Sequence, residues 1–143
     1  MAWSPNANTL TEGQGLRIVK GEAGKEVHSG SRALHVKADK TRIHITNSGA
    51  RGKGGFYKFR FFARGKGKLG IHTYEYTAGS MGHGVIGDYY VTPEWKEYTG
   101  TYRPSDKADQ GWVFYLEVFP GADATVDDFE MWEGERPANG DAR

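Results

Sequence analysis

Apolar and polar residues alternate with a period of two along most of this chain. In "TRIHITNSG" Ile43 and Ile45 share one face, with Arg42, His44 and Thr46 on the other. "SRALHVKA" places Leu34 and Val36 together, and "GGFYKFRFFARG" groups Tyr57, Phe59, Phe61 and Ala63 opposite Lys58 and Arg60. "GWVFYLEVFPG" sets Trp112, Phe114, Leu116 and Val118 against Tyr115 and Glu117. "EWKEYTGTYRP" and "ATVDDFEMWEGE" complete the set. Residues 67 to 79, "GKLGIHTYEYTAG", carry two interests: Leu69 and Ile71 point one way, and His72, Tyr74 and Tyr76 the other. Such segments, a dozen or so residues apart and bounded by Gly, Pro, Asn and Ser, predict strands, and no convincing helical period interrupts them. The expected fold class is all-β, an antiparallel β-sandwich. "ARGKGKLG" reads as a hairpin turn, and the glycine-rich "AGSMGHGVIGDYY" as a loop.

Composition sharpens this picture. A chain of 143 residues with 37% hydrophobic content can bury one core, and 21 glycines are about twice the usual ~7% share, as many turns require. No window approaches the ~20 apolar residues of a membrane span, and no leading basic-then-apolar segment resembles a signal peptide. With no cysteine, disulfides and thiolate metal sites are excluded.

The net charge of +1 gives no general attraction to nucleic acid. Its distribution is uneven: nine Lys and Arg but no acid lie between Lys40 and Tyr74, and ten acids against three basic residues follow Ser105. "GEAGKEV" lacks the Ser or Thr that a phosphate loop needs, and "HSGSR" lacks the first glycine of a hydrolase elbow. The five histidines form no helical i, i+4 pair, so a catalytic zinc site finds little support.

Four segments, "VHSGSRALHV", "GFYKFRFFARG", "TPEWKEYTGTYRP" and "ATVDDFEMWEGE", in that order and spacing, resemble the carbohydrate-binding modules of the family 4, 9, 16 and 22 group. The resemblance implies a jelly-roll sandwich over residues 1–134, with 135–143 as a linker or disordered tail. It implies a non-catalytic module that binds polysaccharide or oligosaccharide chains across one sheet and targets an attached glycan-active enzyme to its substrate. The expected setting is a larger multidomain protein, extracellular or on the cell surface, monomeric, with no nucleic-acid or membrane partner. The family usually opens with a strand ending in Phe-Glu, which is not seen ahead of "AWSPNAN".

By the same resemblance, Leu69 and Ile71 belong to the core. The ligand-binding residues are then His72, Tyr74, Tyr76, Tyr115, Glu117, Arg42 and His44, paving one groove. Sugar rings offer apolar C–H faces that pack on tyrosine and hydroxyl rims that bond to Arg, Glu and His. If Arg42, His44 and Arg60 border that groove, uronate-containing or sulfated glycans are favoured. A structural Ca²⁺ is expected on Asp127, with Glu26 as a second carboxylate. Two other readings stand beside this one: a jelly-roll polysaccharide lyase or hydrolase, and a structural or adhesion spacer. Hydrolysis by paired carboxylates needs two acids, whereas Glu117 is the single one expected on the face, and a lyase needs a Tyr–His pair within hydrogen-bond reach.

Overall fold

The computed structural model of the chain describes residues 3–5, 15–47 and 55–134. It contains ten strands: β1 (Trp3–Pro5), β2 (Leu16–Lys20), β3 (Arg32–Lys37), β4 (Ile43–Asn47), β5 (Tyr57–Lys66), β6 (Lys68–Thr77), β7 (Ser80–Tyr90), β8 (Lys96–Tyr102), β9 (Trp112–Val118) and β10 (Asp123–Glu133). They form two five-stranded antiparallel sheets, ordered β1-β4-β9-β6-β7 and β2-β3-β10-β5-β8. The sheets face each other as a jelly-roll β-sandwich, and none of the described residues is helical. Accordingly, the described residues include no helix long and apolar enough to cross a membrane.

The period-two residues meet between the sheets. Ile43, Ile45, Leu69, Ile71, Phe114, Leu116 and Val118 from one sheet pack against Val36, Phe59, Phe61, Ala63, Ala124 and Val126 from the other. Phe59, Phe61 and Phe114 each stack on Phe129, while the Tyr89 ring meets Phe61 edge-on at 5.3 Å. Trp112 closes one end between Tyr57 and Tyr102, each at 4.9 Å in T-shaped geometry. Edge-on and offset contacts of this kind suit the ring quadrupoles and add about 0.5–1.5 kcal/mol per pair beyond area burial. Gly67, at a φ of +91°, turns β5 into β6 as the hairpin reading expects; its missing Cβ lets the turn pass the Ala122 backbone.

Three segments outside the predicted strand set are strands, among them the three-residue β1 on β4. β7 runs through "SMGHGVIGDYY", where a loop was expected, and it pairs with β6 along its whole length. Gly82, Gly84 and Gly87 supply no side chain to mark a period, so the alternation is hard to see in sequence; the ladder to β6 imposes it. β2, "LRIVK", is a five-residue edge strand on β3 with apolar residues on both faces, Ile18 being 49% exposed, so no alternation marks a core side. Residues 135–143, assigned to a linker, lie outside the described residues, as do most of the residues before Gly15.

β7 also carries a bulge. Ile71 pairs with Gly87 but His72 pairs with Val85, so Ile86 is an extra residue. Ile86 and Tyr89 pack on the core. His83 and Asp88 are five apart and would face opposite ways on a regular strand; the bulge turns both outward.

Candidate functional site

The outer face of sheet β1-β4-β9-β6-β7 is built in rows across the strands. One row runs His44, Glu117, Gly70, Asp88, and the next runs Tyr115, His72, Val85. A third holds Val113, Tyr74 and His83, and a fourth Tyr76 and Met81. At the opposite end, past Val118, Phe119 lies between Arg42 and Lys68.

The Tyr74, Tyr115 end is aromatic. The two rings stack at 4.8 Å and 21°, with His44 at 4.8 Å from Tyr115 and His83 at 5.7 Å from Tyr74. The Tyr115 hydroxyl lies 2.6 Å from His83 Nε2. Burial, followed by the neighbouring Tyr74 hydroxyl, pushes the Tyr115 phenol well above its usual range.

The middle is polar. Glu117 is 1% exposed although it sits on the outer face. Its Oε2 is 2.7 Å from His44 Nε2, and its Oε1 is 3.1 Å from Arg42 Nη1. That second contact is an ion pair without an aligned donor, which leaves Oε1 as a buried acceptor with unused hydrogen-bonding capacity. His72 Nε2 is 2.9 Å from Asp88 Oδ1. The two groups meet over Gly70, where a Cβ would stand 2.6 Å from His72 Nε2 and 2.7 Å from Asp88 Oδ1. This row therefore sets carboxylate oxygens, imidazoles and a guanidinium beside a strip of aromatic rings.

Arg42, His44, His72, Tyr74, Tyr115 and Glu117 thus come together on one sheet, with Tyr76 one row further along. Tyr115 and Glu117 are not outward projections: both are 2% exposed or less and form the floor. Arg60 does not border this face. It lies on β5 in the other sheet, with Nε 3.0 Å from Glu130 Oε2. Glu117 is not the single carboxylate here, because the bulge adds Asp88. His83, Asp88, Phe119 and Lys68 were not singled out in the sequence. The alternation of Met81, His83 and Val85 within "MGHGV" is the signal that could have found the first.

Asp127 and Glu26 lie elsewhere. Asp127 Oδ2 accepts the backbone N–H groups of His28 and Ser29 at 2.9 and 3.2 Å, and its Oδ1 accepts the N–H of Asp128. Glu26 turns back on its own loop to accept the Glu22 N–H at 2.9 Å. Those backbone hydrogen bonds hold its carboxyl below the usual range. Among the described residues no group of three or more His, Asp or Glu side chains is arranged to hold a metal ion. These two carboxylates serve the loop and do not fit a calcium cage made from side chains.

The two-sheet sandwich shares its fold with solved structures of carbohydrate-binding modules, at 12–18% identity in the three that follow. One is the family 22 module and catalytic domain of Clostridium thermocellum xylanase 10B, solved with xylohexaose. The two share 15% identity at a TM-score of 0.67, over 95% of this chain and 27% of the xylanase chain. Another is a family 61 module in complex with β-1,4-galactotriose, at 18% identity and a TM-score of 0.57, over 93% of this chain and 88% of that one. A tandem of family 22 modules from Paenibacillus barcinonensis gives 12% identity and a TM-score of 0.66, covering 92% and 41%. Compared with protein-family models and with curated proteins, the sequence finds no match.

Proposed function

We propose that this domain binds polysaccharide chains, without catalysis of its own, along the face formed by β4, β9, β6 and β7, and that it targets an attached glycan-active enzyme to its substrate outside the cell. The observation that carries the reading is the adjacency of the Tyr74–Tyr115 stack to the Glu117, Arg42 and His44 cluster on one sheet. The Tyr74 ring, backed by Tyr115, offers a platform for a sugar C–H face, while the exposed part of Arg42 and the His44 edge, held from below by Glu117, offer polar groups for ring hydroxyls. The structures sharing the fold were solved with a xylose and a galactose oligomer, which supports a polysaccharide as the ligand class. A glycan array followed by isothermal titration tests this. Saturable binding of an oligosaccharide, weakened by substitution of Tyr74, is expected; no binding across a broad array rejects the reading.

The Tyr115–His83 pair, at 2.6 Å, favours a second reading. A lyase removes the proton α to a uronate carboxylate and protonates the leaving oxygen, and a tyrosine beside a histidine supplies such groups. It ranks second because Tyr115 is 2% exposed and its phenol is held neutral, with its hydroxyl already engaged by His83. Ultraviolet-absorbing unsaturated products from uronate polymers, lost in Tyr115→Phe, would bring it to the front.

A further inference from the structure

We infer that the Arg42, Phe119, Lys68 end of this face is a subsite for an anionic sugar unit, so that the bound chain carries a carboxylate or sulfate at that end. The inference rests on the polysaccharide-binding reading and adds the chemical class of the ligand and its orientation. Arg42 Cζ and Lys68 Nζ lie 4.9 and 4.0 Å from the centroid of the Phe119 ring. They reach it from opposite sides, since Arg42 immediately precedes β4 and Lys68 opens β6, the two neighbours of β9. The ring holds both cation heads by their attraction to its π face, which limits the conformational freedom lost when an anion binds between them.

The charges differ in how far they are already satisfied. Arg42 pairs with Glu117 through Nη1, yet its side chain is 58% exposed, so its remaining N–H donors are open to solvent. Lys68 has no carboxylate within ion-pair distance among the described residues. The two acids of this half are committed: Glu117 is buried against Arg42 and His44, and Asp88 contacts His72. The charged groups over the Phe119 ring are thus two cations, whereas the Tyr74 end presents rings and His83. A chain lying along the face meets neutral stacking at one end and two cations at the other, which fixes its direction as well as its class. A planar guanidinium suits a carboxylate in bidentate geometry, and an ammonium suits either anion as a point charge.

Titration of the intact domain with matched oligosaccharides tests this: neutral β-1,4-linked xylose and galactose oligomers, the same oligomers carrying a glucuronic acid branch, and their sulfated counterparts. Exposed ion pairs are each worth about 0.2–1 kcal/mol, so an anionic ligand should bind about fivefold tighter than its neutral partner at low salt and lose that advantage at high salt. A gain confined to the uronate arm assigns a carboxylate, and a gain in both anionic arms assigns a general anion site. Lys68→Gln should remove most of the advantage, and Lys68→Arg should restore it. Equal wild-type affinity for neutral and anionic oligomers, or an advantage that survives Lys68→Gln, overturns the subsite while leaving polysaccharide binding standing. Failure of every oligomer to bind overturns both.

Discussion

Ile71 and Tyr74 stand three residues apart on β6 and face opposite sides of the sheet. Ile71 is 1% exposed among Leu69, Leu116 and their neighbours in the sandwich. Replacing it with alanine removes buried methylenes and leaves a cavity, at a cost of about 2–5 kcal/mol, and thermal melting should fall accordingly. Glycan affinity measured on the folded fraction should not change. Tyr74 is half-buried and its ring contacts lie on the outer face, with Tyr115 and His83. Tyr74→Ala should weaken binding about tenfold, since a stacked ring is worth about 0.5–1.5 kcal/mol. Its melting temperature should move far less than that of Ile71→Ala. The reverse ordering in calorimetry would mean that the two faces of β6 have been exchanged.

At the scale of elements, the β7 bulge and Gly70 cooperate to make the polar row. The bulge brings Asp88 to the face that carries His83, and the bare backbone at Gly70 lets Asp88 and His72 meet above it. Gly70→Ala should force the pair apart. Overpacking of this kind costs about 1–3 kcal/mol, so the variant should fold with a lowered melting temperature and lose affinity for hydroxyl-rich ligands. Wild-type affinity in that variant would show that the His72–Asp88 contact does not serve binding. A second bulge, between Asp127 and Glu130 on β10, sets Asp128 at a φ of +50°. The Asp128 carboxylate then holds His28 Nδ1 at 2.6 Å and accepts the Ser29 hydroxyl, while the His28 ring stacks on Phe62 at 3.6 Å. Protein hydrogen bonds and a ring stack thus hold the segment between β2 and β3 against β10. The melting curve is expected to be the same in calcium and in EGTA, and a drop with the chelator that calcium restores would return the ion to the account.

The whole molecule stores a vulnerability to alkali in its buried phenols. Burial pushes Tyr89 and Tyr102 up to about 12, the latter also through its hydrogen bond to Glu75, and Tyr115 is raised further still. An unfolded tyrosine ionises near about 10. The folded state therefore holds these protons more tightly, and the stability they contribute is complete below pH ~10 and lost as pH rises through about 12. Melting temperature should fall steeply across that window, and tyrosinate absorbance should show a late-titrating group that joins the rest on unfolding. Simultaneous titration of all eight tyrosines in the folded protein would refute this. Period-two alternation by itself determined most of the strands and which side chains share a face of each, because side-chain direction along a strand follows from chain geometry alone, whereas the outward placing of His72, Tyr74 and Tyr76 came from the resemblance to carbohydrate-binding modules. The same rule cannot show a bulge, which shifts parity through pairing with a neighbouring strand, so Asp88 and His83 became partners of the site only in the folded sheet. Nor can it show depth: Tyr115 and Glu117 sit on the outer face yet are buried by side chains from β4, β6 and β7. Which cations are left without a carboxylate was decided by tertiary structure as well, since Arg60 found Glu130 across β5 and β10 while Lys68 was carried to Phe119. Charge pairing depends on distances between strands remote in sequence, and those exist once β5 has paired with β10 and β6 with β9.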